Sequence, residues 1–497
     1  MPLPLMLILS LAAGLLLALG FAPYSLAWAP LVALAVIFAL ISRVRAVSVV
    51  LLAGYSFGLG YAGLGVYWIY HSIADYGGGV LAAGIATPIL IALFALIPML
   101  ALWLGWVVGQ RCRRVSALLS FPLAWILIEW VRSWLFTGAT WLSVGYSQID
   151  TPLAHWAPVL GVYGPGLGLA LLAGALAWWM RRPLSLRLLL PPALAAALLA
   201  AGFLLDREWS TPSAEPLTVA LIQGNIDQAR KWDPTAREEI VAEYVGLSRR
   251  HWGEDLVIWP EASLPVYYHQ AETLLQRLVE EATAAGSTLV IGAPVAEDDR
   301  AFNAVVIPGE SAQFYYKRHL VPFGEYVPFR DIAGGLLDFV GTPLGDFDAG
   351  TSARPLEAGG AAIGVSICYE VTFGTEIADA LPAAEILLNL SNDAWFGRSA
   401  APWQHLQMAR MRALETARPM LRATNTGVSA MIDRKGRVLA RTGLFEQTVL
   451  NTEITPHAGA TPYTRWRDWP VVIICISGLF LLLVFGRREL TLFRDIG

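Results

Sequence analysis

Apolar residues are not spread evenly along this chain. They form long unbroken runs over the first 205 positions and again near the end, and between those regions they fall into shorter strand-like and helical patterns. A helix that crosses a bilayer takes about 20 largely apolar residues. Runs of this kind are Leu3–Leu19, Ala27–Ile41, Val49–Tyr70, Leu81–Val108, Val115–Val131, Ala157–Met180, Leu188–Leu205 and Val471–Phe485. They predict a polytopic α-helical membrane bundle: an N-terminal membrane domain over 1–205 and a C-terminal span with its tail over 467–497. No Lys or Arg precedes the first run and a second run follows directly, so it reads as an uncleaved helix rather than a signal peptide.

Over 206–466 the period shortens. The stretches "LTVALIQGNI", "DLVIWPEAS", "STLVIGAP", "NAVVIPG", "AAIGVSICYE" and "EILLNLSNDAW" read as buried strands. "AETLLQRLVEEATAAG" and "WQHLQMARMRALETAR" carry helical periodicity. Alternating strands and helices predict an extramembranous α/β sandwich, long enough to bury a core of its own.

Arginine placement orients the bundle. Arg43 and Arg45, then Arg111, Arg113 and Arg114, then Arg181, Arg182 and Arg187, and finally Arg487, Arg488 and Arg494 all follow alternate runs. Gly20–Trp28 carries no basic residue, and His71–Gly79 carries only Asp75. By the positive-inside bias both termini lie in the cytoplasm, and 206–466 lies on the far side, which in a bacterial inner membrane is the periplasm. Gly54, Gly58, Gly60, Gly63 and Gly65 suggest close helix packing in the third run. Glu129 and Arg132 stand at i,i+3 spacing, as an internal pair or a headgroup contact.

Composition agrees with a membrane protein. The chain is 56% hydrophobic and 15% charged, against roughly 25% charged in soluble domains. Its 19 tryptophans suit a large lipid interface. A net charge of −4 without a basic stripe gives no reason to expect a nucleic-acid partner. No HExxH or CxxC pattern points to a metal, and no Walker or Rossmann glycine pattern points to a nucleotide cofactor.

In open α/β sheets, sites gather at the carboxyl ends of strands. Glu261 follows "LVIWP", Lys317 follows "QFYY" and Cys368 follows "IGVSI". Of the 3 cysteines, Cys112 and Cys475 fall in or beside apolar runs, which leaves Cys368 without a disulfide partner. In an oxidising compartment a leftover thiol is a flag for reactivity, though a buried structural thiol remains the alternative. Glu261 is either a helix-start or surface acid, or a base whose pKa is raised by the setting of Trp259 and Pro260. Lys317 is a solvated strand-end charge or a positioned amine. Glu325, in "LVPFGEYVP", is a loop acid or a partner that holds Lys317. Glu370 either pairs with an arginine or shapes the pocket. "NDAWFGR" (392–398) is a lipid-dipping lid or an ordinary turn.

In order, "VIWPEAS", "YYKRHLVPFGEYVP" and "GVSICYE" resemble the Glu–Lys–Cys triad motifs of the nitrilase superfamily. With apolar helices on both sides, and with "LFTGATWLSVGYSQ" (135–148) and "RPMLRATNTGVSAMIDRKG" (418–436), nearly the whole chain resembles the bacterial apolipoprotein N-acyltransferase family. The resemblance implies a nitrilase-like α-β-β-α sandwich. It also implies transfer of a fatty acyl chain from a membrane phospholipid to the α-amine of the diacylglyceryl cysteine of an apolipoprotein. Carried over, Cys368 is the nucleophile, Glu261 the general base and Lys317 the electrostatic stabiliser. Glu325, Tyr369, Glu370 and Trp232 match further functional positions, and the backbone N–H of Tyr369 is a candidate second oxyanion donor. The rivals are a membrane-tethered amidase or nitrilase that passes its acyl group to water, and a transporter with an outer sensor domain. Few charges within the runs count against the transporter.

Overall fold

A computed structural model describes residues 1–76, 78–111, 116–180, 190–326 and 347–486. Cys112, Arg113, Arg114, Arg181, Arg182, Arg187, Arg487, Arg488 and Arg494, and parts of the runs beginning at Val115 and Leu188, lie outside them. Two compact units make up the chain: 1–67 with 84–207 and 465–497, and 68–83 with 208–464.

The first unit is helical. Val47–Gly65 and Gly79–Gly109 are long and apolar enough to cross a membrane, and Leu3–Ala18, Trp28–Ile41, Pro192–Leu205 and Trp469–Phe485 are shorter apolar helices. The apolar run at 157–180 is broken at Gly161, whose φ of +62° ends one short helix before Tyr163–Trp179 begins. Glycines in the third helix permit close approach: a Cβ on Gly60 would stand 2.2 Å from the Leu11 carbonyl oxygen, and one on Gly58 would stand 2.4 Å from that of Ala95. Gly63 faces open space instead. Glu129 accepts from the Trp125 indole and the Val144 N–H, while Arg132 donates to the Trp141 carbonyl and to Ser143. Both side chains therefore brace the 141–144 loop.

The second unit holds the strands. In chain order they are β1 (Ser210–Pro212), β2 (Leu217–Gln223), β3 (Leu256–Ile258), β4 (Thr288–Glu297), β5 (Arg300–Ile307), β6 (Gln313–Tyr316), β7 (Leu356–Ala358) and β8 (Ala361–Ile367). There follow β9 (Ile386–Ser391), β10 (Met420–Thr424), β11 (Ala430–Ile432), β12 (Val438–Arg441), β13 (Thr448–Ile454) and β14 (His457–Gly459). One six-stranded sheet runs β13-β2-β3-β4-β5-β6 and the other β12-β11-β10-β9-β8-β7. Each has parallel pairs at its centre, β2 to β4 and β8 to β10, with antiparallel pairs outside.

Side-chain alternation builds the layers. Along β2, Val219 and Leu221 join the core shared with Ile363, Val365 and Ile367 of β8, while Ala220 and Ile222 join a second core with Ile240 and Tyr244 of helix Arg237–Arg249. Leu406, Ala409 and Ala413 of helix Ala401–Thr416 pack with Leu387 and Met420 beneath the other sheet. The result is an α-β-β-α sandwich. Parallel central strands buried on both faces explain why their sequences are almost continuously apolar.

Candidate active site

Cys368 directly follows β8 and opens the tight turn Cys368–Thr372 with a φ of +50°. A non-glycine residue adopts that left-handed geometry only when its surroundings over-determine it. The surroundings are explicit. The Cys368 carbonyl accepts from His405 Nε2 at 3.0 Å and from Asn389 Nδ2 at 3.4 Å. Glu370, two residues on, accepts from the Ile367 N–H (2.6 Å) and the Tyr315 hydroxyl (3.0 Å) through one oxygen. Through the other it accepts from the N–H groups of Arg318 (2.6 Å) and His319 (3.1 Å). This one buried carboxylate ties the cysteine turn to the chain that leaves Lys317. Glu370 therefore braces the Cys368 turn, and the Arg318 guanidinium pairs instead with Asp379.

The candidate acid and amine meet beside the thiol. Lys317, directly after β6 and 1% exposed, donates to Glu325 at 2.8 Å and stands 3.8 Å from Glu261. Asn303 of β5 donates through Nδ2 to both carboxylates, at 2.8 Å to Glu261 and 3.1 Å to Glu325. The second oxygen of Glu261 accepts from the Asn392 N–H at 2.8 Å, and that of Glu325 accepts from the Val321 N–H at 2.8 Å. Burial would lower the pKa of Lys317, but Glu325 and Glu261, with Cys368, outweigh it and hold the ammonium above the ordinary lysine range. Burial raises the Glu261 carboxyl above the usual range, aided by Glu325, while Lys317, Asn303 and Lys231 oppose the rise. Burial likewise pushes the Cys368 thiol well up, with Glu261 and Asp393 adding to the shift and Lys317 and a Ser391 hydrogen bond working against it. At rest the cysteine is thus a neutral thiol beside a proton acceptor of raised affinity and a fixed cation.

A short helix, Gln228–Lys231, closes on Glu261 from the side. Lys231 is 1% exposed and donates from Nζ to the Glu261 carbonyl at 3.1 Å. Gln228 accepts from Asn392 Nδ2 at 2.6 Å, and Asn425 clamps Ile226 through both its N–H and its carbonyl. Trp232 caps this helix and is half-buried, and its indole Nε1 has no acceptor among the described residues.

Beside Cys368 lies a buried ionic layer. Asp393 accepts from Ser391 (2.7 Å) and Arg422 Nη2 (2.7 Å) and contacts His405 Nδ1 (3.0 Å). Burial would raise the Asp393 carboxyl, but Arg422 and His405 hold it well below the usual range. Tyr369 packs edge-on to Phe373, which in turn stacks on His319 at 3.8 Å. In the "NDAWFGR" loop, Trp395 is half-buried against Tyr76, and Phe396 packs on Trp68.

The structure thus gathers Glu261, Lys317, Glu325, Cys368 and Glu370, with Tyr369 beside the thiol and Trp232 on the segment held to Glu261. The sequence reading passed over Asn303, Lys231, His405 and Arg422, and took Asn392 and Asp393 only as the start of the "NDAWFGR" stretch, a lid or a turn. Only Lys231 carried a signal, as one of three lysines in the chain. No group of three His, Cys, Asp or Glu among the described residues could hold a metal ion.

Comparison with known proteins adds the family context. The model described as carbon-nitrogen hydrolase matches residues 218–463, and the one described as apolipoprotein N-acyltransferase N-terminal domain matches residues 13–175. The chain is 44% identical over 490 residues to the apolipoprotein N-acyltransferase of Methylococcus capsulatus, covering 97% of this chain and 96% of that one. It is 43% identical to the enzyme of the same name from Nitrosomonas europaea (96% of each chain) and 38% identical to that from Vibrio vulnificus (96% of each).

Proposed function

Because the chain belongs to the apolipoprotein N-acyltransferase family, we propose that its reaction runs through a thioester on Cys368, with Glu261 as general base and Lys317 as the charge that stabilises the oxyanion. The enzyme N-acylates apolipoproteins. Glu261 takes the thiol proton as Sγ attacks the ester carbonyl of a membrane phospholipid. Charge then develops on the carbonyl oxygen next to a cation that needs no reorganisation. The tetrahedral species collapses, the C–O bond breaks, Glu261 returns its proton to the leaving alkoxide, and a lysophospholipid departs. The α-amine of the diacylglyceryl cysteine next attacks the thioester, Glu261 accepts the amine proton and the thiolate leaves to be reprotonated. The cycle is ping-pong.

Lys317 is poorly suited to be the base, because Glu325 and Glu261 keep it protonated. Glu325 holds it, Glu370 shapes the turn that presents Cys368, and Tyr369, next to Cys368, and Trp232, at the end of the helix held to Glu261, match further functional positions of the family. No cofactor takes part. Both substrates are lipids, so the apolar helices form an inner-membrane bundle with cytoplasmic termini and a periplasmic catalytic domain. The arginine pattern supports that orientation. The observation that carries the reading is the convergence of Glu261, Lys317 and Cys368 from the ends of three strands, with Lys317 3.8 Å from Glu261.

The test is intact mass of the purified enzyme after exposure to phospholipid without acceptor, beside Cys368→Ala. An added fatty-acyl mass on the wild type alone, cleared by a diacylglyceryl peptide with N-acylated product, is the expected result. An adduct cleared equally well by water points to the hydrolase rival. Absence of any adduct under conditions that turn over substrate overturns the thioester.

A further inference from the structure

The proposed mechanism leaves the buried charge of Lys231, next to Glu261, unused. Lys231 lies on helix Gln228–Lys231, not on a strand end, yet its ammonium is 1% exposed and sits 3.1 Å from the carbonyl of Glu261. Among the described residues that carbonyl is its one hydrogen-bond acceptor, so two of its three N–H groups are not spent on it. A buried ammonium without a full set of acceptors is costly. Burial brings Lys231 down to about 8, and the Glu261 charge resists that fall. The helix that carries it is fixed from the other side as well, since Gln228 bonds Asn392, whose N–H holds the Glu261 carboxylate.

We propose that Lys231 is a positioning residue for the general base: it grips the Glu261 peptide carbonyl and supplies a second buried positive charge that keeps the Glu261 carboxylate ionised and ready for the thiol proton. This inference rests on the role of Glu261 proposed above. Lys317 supplies the larger opposing charge but shares it with Glu325, 2.8 Å away against 3.8 Å to Glu261, and Lys231 adds a smaller one of its own. The groups that face Glu261 are Lys317 after β6, Glu325 in the following loop, Asn303 of β5, the Asn392 N–H after β9, Cys368 after β8 and Lys231. Lys231 is the cation among them that has no carboxylate hydrogen-bonded to it.

The experiment follows acyl adduct growth on Cys368 of the full-length enzyme, by intact mass with excess phospholipid, from about pH 5 to pH 9. Wild type, Lys231→Met, Lys231→Gln and Lys231→Arg are compared. Loss of a neighbouring positive charge raises a carboxylate pKa by about one unit or more. In Lys231→Met and Lys231→Gln the acidic limb therefore moves up, by at most about one pH unit because Lys231 is the smaller of the two cations, slowing acylation by up to about tenfold on that limb. The profiles converge with wild type above about pH 8, where Lys231 itself loses its charge. Lys231→Arg keeps the wild-type limb. Should Lys231→Met fail to fold, Lys231→Gln still decides, because it keeps a donor for the carbonyl and removes only the charge. An unmoved limb in the Gln variant, with rates lowered evenly or not at all, overturns the proposal and leaves Lys231 a structural clip. Absence of an adduct on wild type sinks the thioester reading and this inference together, whereas a wild-type adduct with unmoved variant limbs sinks the inference alone.

Discussion

The ammonium of Lys317 lies 2.8 Å from each carboxylate oxygen of Glu325. A two-oxygen grip inside a buried pocket fixes the amine in place and in charge. Glu325→Gln keeps the shape and removes the charge. We expect Lys317 to lose its strongest anionic support and acyl-adduct formation on Cys368 to fall by 10- to 100-fold, a loss of about 1.4–2.7 kcal/mol of transition-state stabilisation. Single-turnover intact mass measures it. A Gln variant with the wild-type rate removes Glu325 from the mechanism.

Glu370 serves three backbone N–H groups and the Tyr315 hydroxyl. In Glu370→Gln the amide nitrogen must face at least one of those donors. An unsatisfied buried donor costs about 1–3 kcal/mol, so the melting temperature drops. The Cys368 turn also loosens, and acylation falls with it. Tyr315→Phe removes the bond to Glu370 and a longer one from Arg318 Nε, and costs about 1 kcal/mol. Thermal melts of the two variants give the comparison, and equal melts would contradict a cross-linking role for Glu370.

Arg422 and His405 together hold Asp393 ionised without exposure to water. Removing one partner of a buried ion pair costs about 3–5 kcal/mol, which is the expected destabilisation of Arg422→Met in denaturant titrations. The pH dependence follows from the depressed Asp393 carboxyl. The unfolded state binds the proton first, so this stabilisation is complete above the unfolded carboxylate value near ~4. It shrinks as pH falls below that value. Asp393→Asn flattens that part of the acid-unfolding curve.

Gly292 controls Glu261 through space alone. A Cβ there would stand 2.4 Å from the Pro260 carbonyl oxygen and 2.7 Å from the Glu261 Cα, both backbone atoms that cannot swing aside. In Gly292→Ala the loop bearing Glu261 must shift. Misplacing a catalytic group by about 1 Å costs roughly 100-fold, and acylation falls accordingly. The Cys368 turn is untouched, so peptide-mapped alkylation of Cys368 by a small reagent continues. A variant that acylates normally would show that the loop tolerates the displacement.

Much of this protein was readable along the chain, and what was readable is local in origin. The runs in "LVIWPEAS" and "AIGVSICYE" declare strands because each side chain alternates between two apolar layers. Glu261, Lys317 and Cys368 stand out because strand ends are where side chains can leave a sheet for a site. Glu325 was legible as a possible holder of Lys317, eight residues away. The helical break at Gly161 was less visible, since long apolar runs mask where a helix stops.

Composition and periodicity by themselves determined the apolar helices, the inserted α/β domain and the three strand-end candidates. Only the tertiary structure decided how the reactive groups are held and charged. Asn303 bridges two carboxylates 42 and 22 residues away, Arg422 reaches Asp393 29 residues back, and Lys231 reaches the carbonyl of Glu261 30 residues on. Such contacts have no period, because they arise when separate strands bring distant polar side chains into a space that excludes water. There the cost of an unpaired charge selects the partners.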